Sequence, residues 1–394
     1  MQHKIFGGIG MDFKLTEQQE MIRDMVREFA EAEIKPLAKE VDEKHMFPVE
    51  TVKKMQEMGL FGLAYPEEYG GSGAGQVAYM LAVEEIAKVC GTTSVILSAS
   101  ESLASWPIYK FGTEEQKQRW LVPQCKGEKL GAFALTEPAA GTDAAMQKSR
   151  AVLSEDGTYY TVNGSKIFIT NAEYADYFII FVMTNPELGT KGITAFVIDK
   201  DIEGLTISKP CNKMGICGSS TCELYFDNMK VPVENRLGAE GKGFGMAMMT
   251  LDGGRIGIAA QATGIAMGAI EETVKYVNER VQFGKTLAKF QNTQFTLADM
   301  QTRTDAAHLL MLRAAWAEEV GAPYTQFAAR AKLFAAETAS YVTNRAVQLF
   351  GGYGYTKDFP VERMMRDAKI TEIYEGTSEV QRMVISGSVL AGKG

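Results

Sequence analysis

The sequence predicts an α+β chain of three successive parts: an N-terminal α-helical domain over residues 12–133, a central antiparallel β domain over 134–236 and a C-terminal four-helix bundle over 237–394. Three observations carry this expectation. Apolar residues recur at helical spacing up to residue 123 and again from Gly243, while the region between holds short β-branched and aromatic runs bounded by Asn, Asp, Gly and Pro. Helical and strand patterns are segregated rather than alternating, which argues against a doubly wound nucleotide-binding sheet. The chain has 394 residues, 46% apolar and 23% charged, enough for two to three domains with sizeable cores.

Thr16 with Gln19 three residues on forms a capping box that opens the first helix, in which Ile22, Met25, Val26 and Phe29 share a face. A second helical pattern over 49–59 leads to YPEEYGGSGAG (65–75). Gly70, Gly71, Gly73 and Gly75 lack the G-x-G-x-x-G spacing and follow no strand, so this segment reads as a surface turn. Helical patterns continue over 76–90 and 94–123. In the middle, Tyr159–Val162 runs into Asn163-Gly164, a dipeptide favoured in tight hairpins. Tyr177–Met183, Ile193–Ile198 and Glu223–Phe226 read as further strands. Long helices are expected over 243–280, 290–318, 323–350 and 362–390, with short connections that suit an antiparallel bundle.

Ile256–Ile270, rich in Ala and Gly, reads as a helix packed closely against others; no apolar run reaches the roughly 18 residues of a membrane span. Residues 1–10 lack the apolar region of a signal peptide and read as an extension ahead of the first helix.

Composition excludes several functions. Lys and Arg number 41 against 49 Asp and Glu, and a net charge of −8 suits phosphate-backbone binding poorly. The five cysteines, Cys90, Cys125, Cys211, Cys217 and Cys222, form no C-x-x-C, which points to reduced thiols and a cytoplasmic setting rather than a disulfide framework or zinc knuckle. His3, His45 and His308 are widely separated, against a His-ligated metal or a Ser-His-Asp triad. FGKT (283–286) resembles the tail of a phosphate loop, but Glu279 stands where that loop needs Gly.

Two segments carry chemistry-bearing residues. FALTEPAAGTD (133–143) lies where the helical and β parts meet; Thr136 and Thr142 offer hydroxyls, and the Pro138–Gly141 turn offers backbone N–H groups that can line a polar ring or a pyrophosphate. An ordinary interdomain turn would use the same residues. IYEGTSE (373–379) sets Glu375 beside Gly376 and Thr377 ahead of a helix; read alone, it is equally a carboxylate at a helix start.

FALTEPAAGTD, IFITN (167–171), LDGGR (251–255), RVQFGK (280–285), QLFGGYGY (348–355) and RDAKITEIYEGTSEVQR (366–382), in this order, resemble the acyl-CoA dehydrogenase family, most nearly its bacterial short-chain, butyryl-CoA type. The resemblance extends from about Asp12 onward. It implies the same three-part fold, FAD as cofactor, a homotetramer and electron exchange with an electron-transfer flavoprotein. It makes Glu375 the general base that takes the α-proton of an acyl thioester while the β-hydrogen leaves as hydride. The enolate oxygen would be held by pre-placed donors, among them the Glu375 backbone N–H, and burial would raise the Glu375 pKa into the working range.

The resemblance assigns Phe133, Leu135, Thr136, Phe168 and Thr170 to the flavin ring, with Phe168 standing where many relatives have Trp. Phe168 is expected at the flavin edge that faces the protein acceptor. Thr142, Asp252, Arg255 and Gly376 would touch the acyl-CoA, Thr142 also serving the cofactor. Arg280, Gln291, Gln348, Gly351 and Gly352 would reach the FAD of a neighbouring subunit, and Thr377 and Glu379 would contact FAD beyond the base.

Departures narrow the reading. Other branches place the base just before the Arg of LDGGR; Gly254 stands there, which leaves Glu375 as the base candidate. Cys90–Pro107 contains no Lys or Arg, against a decarboxylating glutaryl-type enzyme. Trp106 is either core or a wall of the acyl pocket suited to a flat substrate. An acyl-CoA oxidase would carry a further C-terminal domain. The expected reaction is α,β-dehydrogenation of a short or compact acyl-CoA or its reverse. The alternatives are an enoyl-CoA or aryl-acrylyl-CoA reductase subunit of an electron-bifurcating flavoprotein complex and, from another class, a nucleic-acid-associated non-catalytic member of the fold.

Overall fold

The structure is a computed structural model that describes residues 14–392; the extension expected over 1–10 lies outside the described residues. The capping box forms: Gln19 N donates to Thr16 Oγ1 at 3.2 Å and Thr16 N to Gln19 Oε1 at 3.0 Å. It opens α1 (Glu17–Phe29), followed by α2 (Ala38–Glu43), α3 (Val49–Glu57), α4 (Gly75–Val89), α5 (Gly91–Ser98), α6 (Trp106–Phe111), α7 (Glu114–Gln116) and α8 (Val122–Cys125). The helical stretch 94–123 is thus several pieces. Wide π turns at Ala99–Ser105 and Lys117–Leu121 precede α6 and α8. Pro107 and Pro123 occupy first turns, where a missing N–H costs no helical bond.

The sheet comprises β1 (Gly131–Ala134), β2 (Arg150–Leu153), β3 (Tyr159–Thr170), β4 (Tyr177–Met183), β5 (Ile193–Asp199), β6 (Leu205–Ile207), β7 (Thr221–Pro232) and β8 (Arg236–Leu237), in the order β6-β7-β3-β2-β4-β5-β8. It is mixed rather than purely antiparallel, because β1 pairs with β4 in parallel, Gly131 opposite Tyr177 through Ala134 opposite Ile180. Every residue of β4 is buried, which explains its unbroken apolar run. One sheet face packs Tyr160, Phe178, Ile180, Phe196 and Met229 into the domain's own core. The other sets Tyr177, Ile179 and Phe181 against Trp120 of the helical domain and Met246 of the bundle.

Asn163-Gly164 makes no hairpin, contrary to the sequence expectation. It lies inside the 12-residue β3, and β7 pairs on both sides of it, Val162 with Met229 and Gly164 with Phe226. The extra residue forms a bulge, and Asn163 Oδ1 accepts from Asn228 N at 2.8 Å. The turn that reverses the chain comes earlier, at Ser154–Gly157 between β2 and β3, where Asp156 Oδ1 accepts from Ser154 Oγ at 2.6 Å and Thr158 N at 3.1 Å.

From Gly243 the chain is helical again: α9 (Gly243–Glu279), a small hairpin of β9 (Val281–Gln282) and β10 (Lys285–Thr286), then α10 (Gln291–Glu319), α11 (Thr325–Phe350), α12 (Val361–Ile370) and α13 (Ser378–Leu390). The helix expected over 362–390 is two helices separated by the turn 371–377. α9 is the hub, packed on α4, α10 and α11. It is buried nearly throughout 253–270, and at Gly264 it lies so close to α4 that a Cβ would overlap the Glu84 carbonyl. Among the described residues no helix is long and apolar enough to cross a membrane.

Candidate active site

The interruption between α12 and α13 exists to present one side chain. Ile373 N and Tyr374 N both donate to Ile370 O, at 2.9 and 3.1 Å, closing α12. Glu375 and Gly376 then take left-handed backbone, φ +53° and +91°, and Thr377 Oγ1 caps α13 by accepting from Val380 N at 3.3 Å. A non-glycine residue in this region costs about 1 kcal/mol or more and persists only where its surroundings fix it. The fixing contacts are present: Tyr374 is hydrogen-bonded to Gln261 Oε1 of α9, and the Gly376 carbonyl accepts from Lys332 Nζ at 2.7 Å and Gln381 Nε2 at 2.8 Å.

The Glu375 carboxyl therefore points inward at α9. Its Oε2 is buried without a hydrogen-bond partner, at Gly254, where a Cβ would collide with that oxygen and with Leu103. Burial pushes the Glu375 carboxyl up to about 7, against the opposing pull of Lys332 and Arg255. Arg255, itself buried, donates through Nη1 to Asp252 Oδ1 at 2.5 Å, while its Nε is buried and unpartnered. Asp252 Oδ2 accepts from Thr325 Oγ1 at 2.7 Å, and burial raises the Asp252 carboxyl. A carboxyl that titrates near neutrality beside buried open valences is suited to take or give a proton.

A second group forms at the sheet end that faces α9. Ile167 N donates to Thr136 O at 2.9 Å and joins FALTEP to IFITN. Lys166, with no exposed surface, donates to Leu135 O at 3.0 Å, Glu137 Oε1 at 2.8 Å and Gln147 Oε1 at 3.1 Å. Glu137 also accepts from Lys148 N at 2.5 Å and Ser149 N at 3.1 Å. Burial lowers the Lys166 pKa to about 8; burial alone would raise Glu137, but Lys166 and these donors bring it below its ordinary value.

Phe133 packs on Phe181 with ring centres 5.0 Å apart, and lies in the same apolar cluster as Leu135 and Leu251, the neighbour of Asp252. An irregularity between Lys166 and Ile169 turns Phe168 outward, φ +60° and 63% exposed, while Thr170 pairs with Thr221. At that end the Ser219, Ser220 and Thr221 hydroxyls and Asn171 Oδ1 are buried without partners. Such unmet valences suit a polar heterocycle or a phosphate-bearing chain. Thr142 lies exposed beyond the Glu137–Ala140 turn.

The remaining expected residues stand apart. Arg280 lies over the Tyr353 ring at 5.3 Å; Gln291 is the first residue of α10, Gln348 lies in the last turn of α11 and Gly351 and Gly352 follow that helix, all four exposed. Lys332 and Gln348 are 16 residues apart on α11, about 24 Å along its axis, so this group does not join Glu375 within the chain. Glu379 is exposed in the first turn of α13.

Several residues at the site escaped the sequence reading. Lys332 sits among Ala328, Ala331, Ala335 and Ala339 on the buried face of α11, a helical spacing that marks it as a buried cation. The Lys166–Glu137 pair joins residues 29 apart and has no local signature. Glu101 is buried, accepts from Ala64 N at 3.0 Å through one oxygen and leaves the other unpartnered; burial raises it to about 8. With Trp106, Tyr79, Ser102, Gly253 and Glu318 it lines a cavity of ≈ 10 Å³, about the volume of one water. Trp106 is thus a cavity wall next to the Gly253–Gly254 step, and it also packs edge-on against Phe111.

Comparison with known proteins agrees with this geometry. The family models "Acyl-CoA dehydrogenase, N-terminal domain", "middle domain" and "C-terminal domain" match residues 16–128, 132–229 and 241–390. The chain is 60% identical to "Acyl-CoA dehydrogenase, short-chain specific" of Clostridium acetobutylicum, covering 96% of this chain and 100% of that one. It is 51% identical to "Acryloyl-CoA reductase (NADH)" of Anaerotignum propionicum, covering 96% of each. A chain of the solved structure described as "Electron transferring flavoprotein of Acidaminococcus fermentans: Towards a mechanism of flavin-based electron bifurcation" superposes with a TM-score of 0.95 at 53% identity, covering 96% of this chain and 100% of that one. Matched over all three domains, with a buried carboxyl where the fold comes together, the chain belongs to the acyl-CoA dehydrogenase family, flavin-dependent oxidoreductases that act on CH–CH bonds.

Proposed function

We propose that the protein interconverts a short or compact acyl-CoA and its trans-2-enoyl-CoA with FAD as cofactor, exchanging electrons with an electron-transfer flavoprotein. The observation that carries this reading is the Glu375 carboxyl, buried at Gly254 with one oxygen unpartnered and titrating near 7. Glu375 takes the α-proton of the bound thioester; in the reverse direction it returns that proton. When bound, FAD supplies the acceptor for the β-hydrogen and its electron pair.

Phe133, Leu135, Thr136, Phe168 and Thr170 would hold the ring, with Asn171 and Ser219–Thr221 offering the unmet hydrogen bonds. Thr377 and Glu379 would contact the cofactor beyond the base. Asp252, Arg255, Gly376 and Thr142 would receive the thioester and pantetheine, Arg255 through its unpartnered Nε. Arg280, Gln291, Gln348, Gly351 and Gly352, too distant to serve their own chain's Glu375, would complete the FAD site of a neighbouring subunit in a homotetramer; the planar Arg fork suits a diphosphate.

The reductive direction, with an enoyl-CoA or acryloyl-type substrate, is favoured as a second reading by the 51% identity to an acryloyl-CoA reductase and the likeness to a chain studied with flavin-based electron bifurcation. A panel of C4 and aryl-propionyl thioesters, each followed by flavin bleaching and, with reduced enzyme and enoyl-CoAs, by reoxidation, decides substrate and direction. Glu375→Gln should keep the fold and the yellow cofactor and lose bleaching by about four orders of magnitude or more. Near-normal turnover of that variant would overturn the assignment.

A further inference from the structure

The turn that carries Glu375 rests on a buried ammonium. Lys332 is fully enclosed in α11, and the hydrogen bond it makes is to the Gly376 carbonyl, at 2.7 Å. An amine taken from water needs compensation by acceptors and by negative charge. Here one carbonyl provides the first, and the carboxylates of Glu375, Glu372 and Glu379 around it provide the second. The same carbonyl also accepts from Gln381 Nε2, which lies 3.4 Å from the Glu375 carbonyl. The left-handed Glu375–Gly376 step is therefore tied from below at its second residue, and from the side by Tyr374 on Gln261.

We propose that Lys332 is the positioning residue of the proton-transfer step: it anchors the Gly376 carbonyl so that the Glu375 carboxyl and backbone N–H keep their aim, and its ammonium form supplies a positive charge against which Glu375 ionises. This rests on the reading of Glu375 as the general base. The other groups that face Glu375 are Arg255 with its partner Asp252 from α9, the Tyr79 hydroxyl from α4 and Tyr374 in the turn itself. Arg255 shares its charge with Asp252, to which it donates at 2.5 Å, so Lys332 is the stronger of the two cations that face Glu375. The order of the two effects on Glu375 agrees: burial pushes the carboxyl up, and Lys332 is the larger of the two charges that pull it back.

Two replacements separate charge from anchoring. Lys332→Met removes both; Lys332→Gln keeps an N–H donor for the Gly376 carbonyl without the charge. Each would be prepared as flavin-loaded enzyme and assayed with butyryl-CoA from pH 5.5 to 9, beside Glu375→Gln. The Glu375 carboxyl would also be titrated directly by infrared difference spectroscopy, as the band absent from Glu375→Gln. Loss of a nearby opposite charge should move the Glu375 midpoint upward by about one pH unit in both variants. The plateau rate should fall about 10-fold or more in Lys332→Met and be largely restored in Lys332→Gln, because only the former frees the turn.

An unmoved infrared midpoint in both variants would overturn the proposal even if activity fell. If Lys332→Met fails to accumulate as a folded flavoprotein, the midpoint of Lys332→Gln decides the charge effect. If the infrared midpoint moves but Glu375→Gln turns over normally, the general-base reading fails while the electrostatic coupling stands. If Glu375→Gln is inactive and the midpoint does not move, the base stands and the role of Lys332 falls.

Discussion

Gly254 of α9 and Glu375 of the α12–α13 turn are 121 positions apart in the chain, yet a single Cβ on Gly254 would occupy the space of Glu375 Oε2. The glycine makes room for the carboxylate, and the carboxylate fills the notch that the glycine leaves. The pair also explains why a second acid cannot be accommodated at position 254 without displacing the first.

Gly254→Ala should therefore damage chemistry more than folding. A methyl group there must push the Glu375 carboxyl or Leu103 aside, and a base misplaced by about 1 Å loses on the order of 10²-fold in rate. Stopped-flow bleaching at saturating butyryl-CoA, with retained flavin as the folding control, measures this. A variant that reduces its flavin at the parental rate would show that Glu375 does not work from the Gly254 notch.

With Glu375 titrating near 7, the two directions should have opposite pH dependence. Dehydrogenation needs the carboxylate and should rise as pH increases through about 7; enoyl-CoA reduction needs the protonated acid and should rise as pH falls through it. Stability follows the same shift. The folded pKa lies above the ordinary value of 4.5, so the contribution of this group is fully present below about 4.5 and is lost as pH rises through about 7. Thermal melts of parent and Glu375→Gln between pH 5 and 8 should diverge, the parent losing stability relative to the variant as pH rises. Parallel curves would contradict the burial of this carboxyl.

Lys166→Met should leave Glu137 buried without its cation. Breaking one side of such a pair costs roughly 3–5 kcal/mol, and here it also frees the Leu135 carbonyl and loosens the Thr136 segment. Lower melting temperature and faster flavin loss are expected together. The double variant Lys166→Met with Glu137→Gln should recover a substantial part of the stability, since no unpaired charge remains. Equal losses in the single and double variants would show that the ion pair is not what matters.

Phe168 should separate partner transfer from substrate chemistry. It stands outward from β3 at φ +60° and 63% exposure, while Glu375 meets α9 from the α12–α13 turn. Phe168→Ala should leave single-turnover reduction by acyl-CoA nearly unchanged and slow reoxidation by the electron-transfer flavoprotein, with a small dye affected less. Slow substrate reduction with normal acceptor kinetics would place Phe168 on the substrate side.

What the sequence determined by itself is what local chemistry can specify. Thr16 and Gln19 cap a helix wherever they stand, and Tyr177–Met183 is apolar enough to be a central strand without reference to its neighbours, whereas the break at Glu375-Gly376-Thr377 divides what the sequence reads as one helix over 362–390. Tertiary structure decided the rest, because burial and pairing depend on residues far apart in the chain. Asn163-Gly164 favours a hairpin locally, but β7 pairs along both sides of it and turns it into a bulge. β1, which follows α8, runs parallel to β4, a direction that no strand motif encodes. Lys166 and Lys332 look like surface lysines until Glu137 and the Gly376 carbonyl close over them, and the Glu375 carboxyl reaches about 7 only because α9 carries a glycine at the point where the turn meets it.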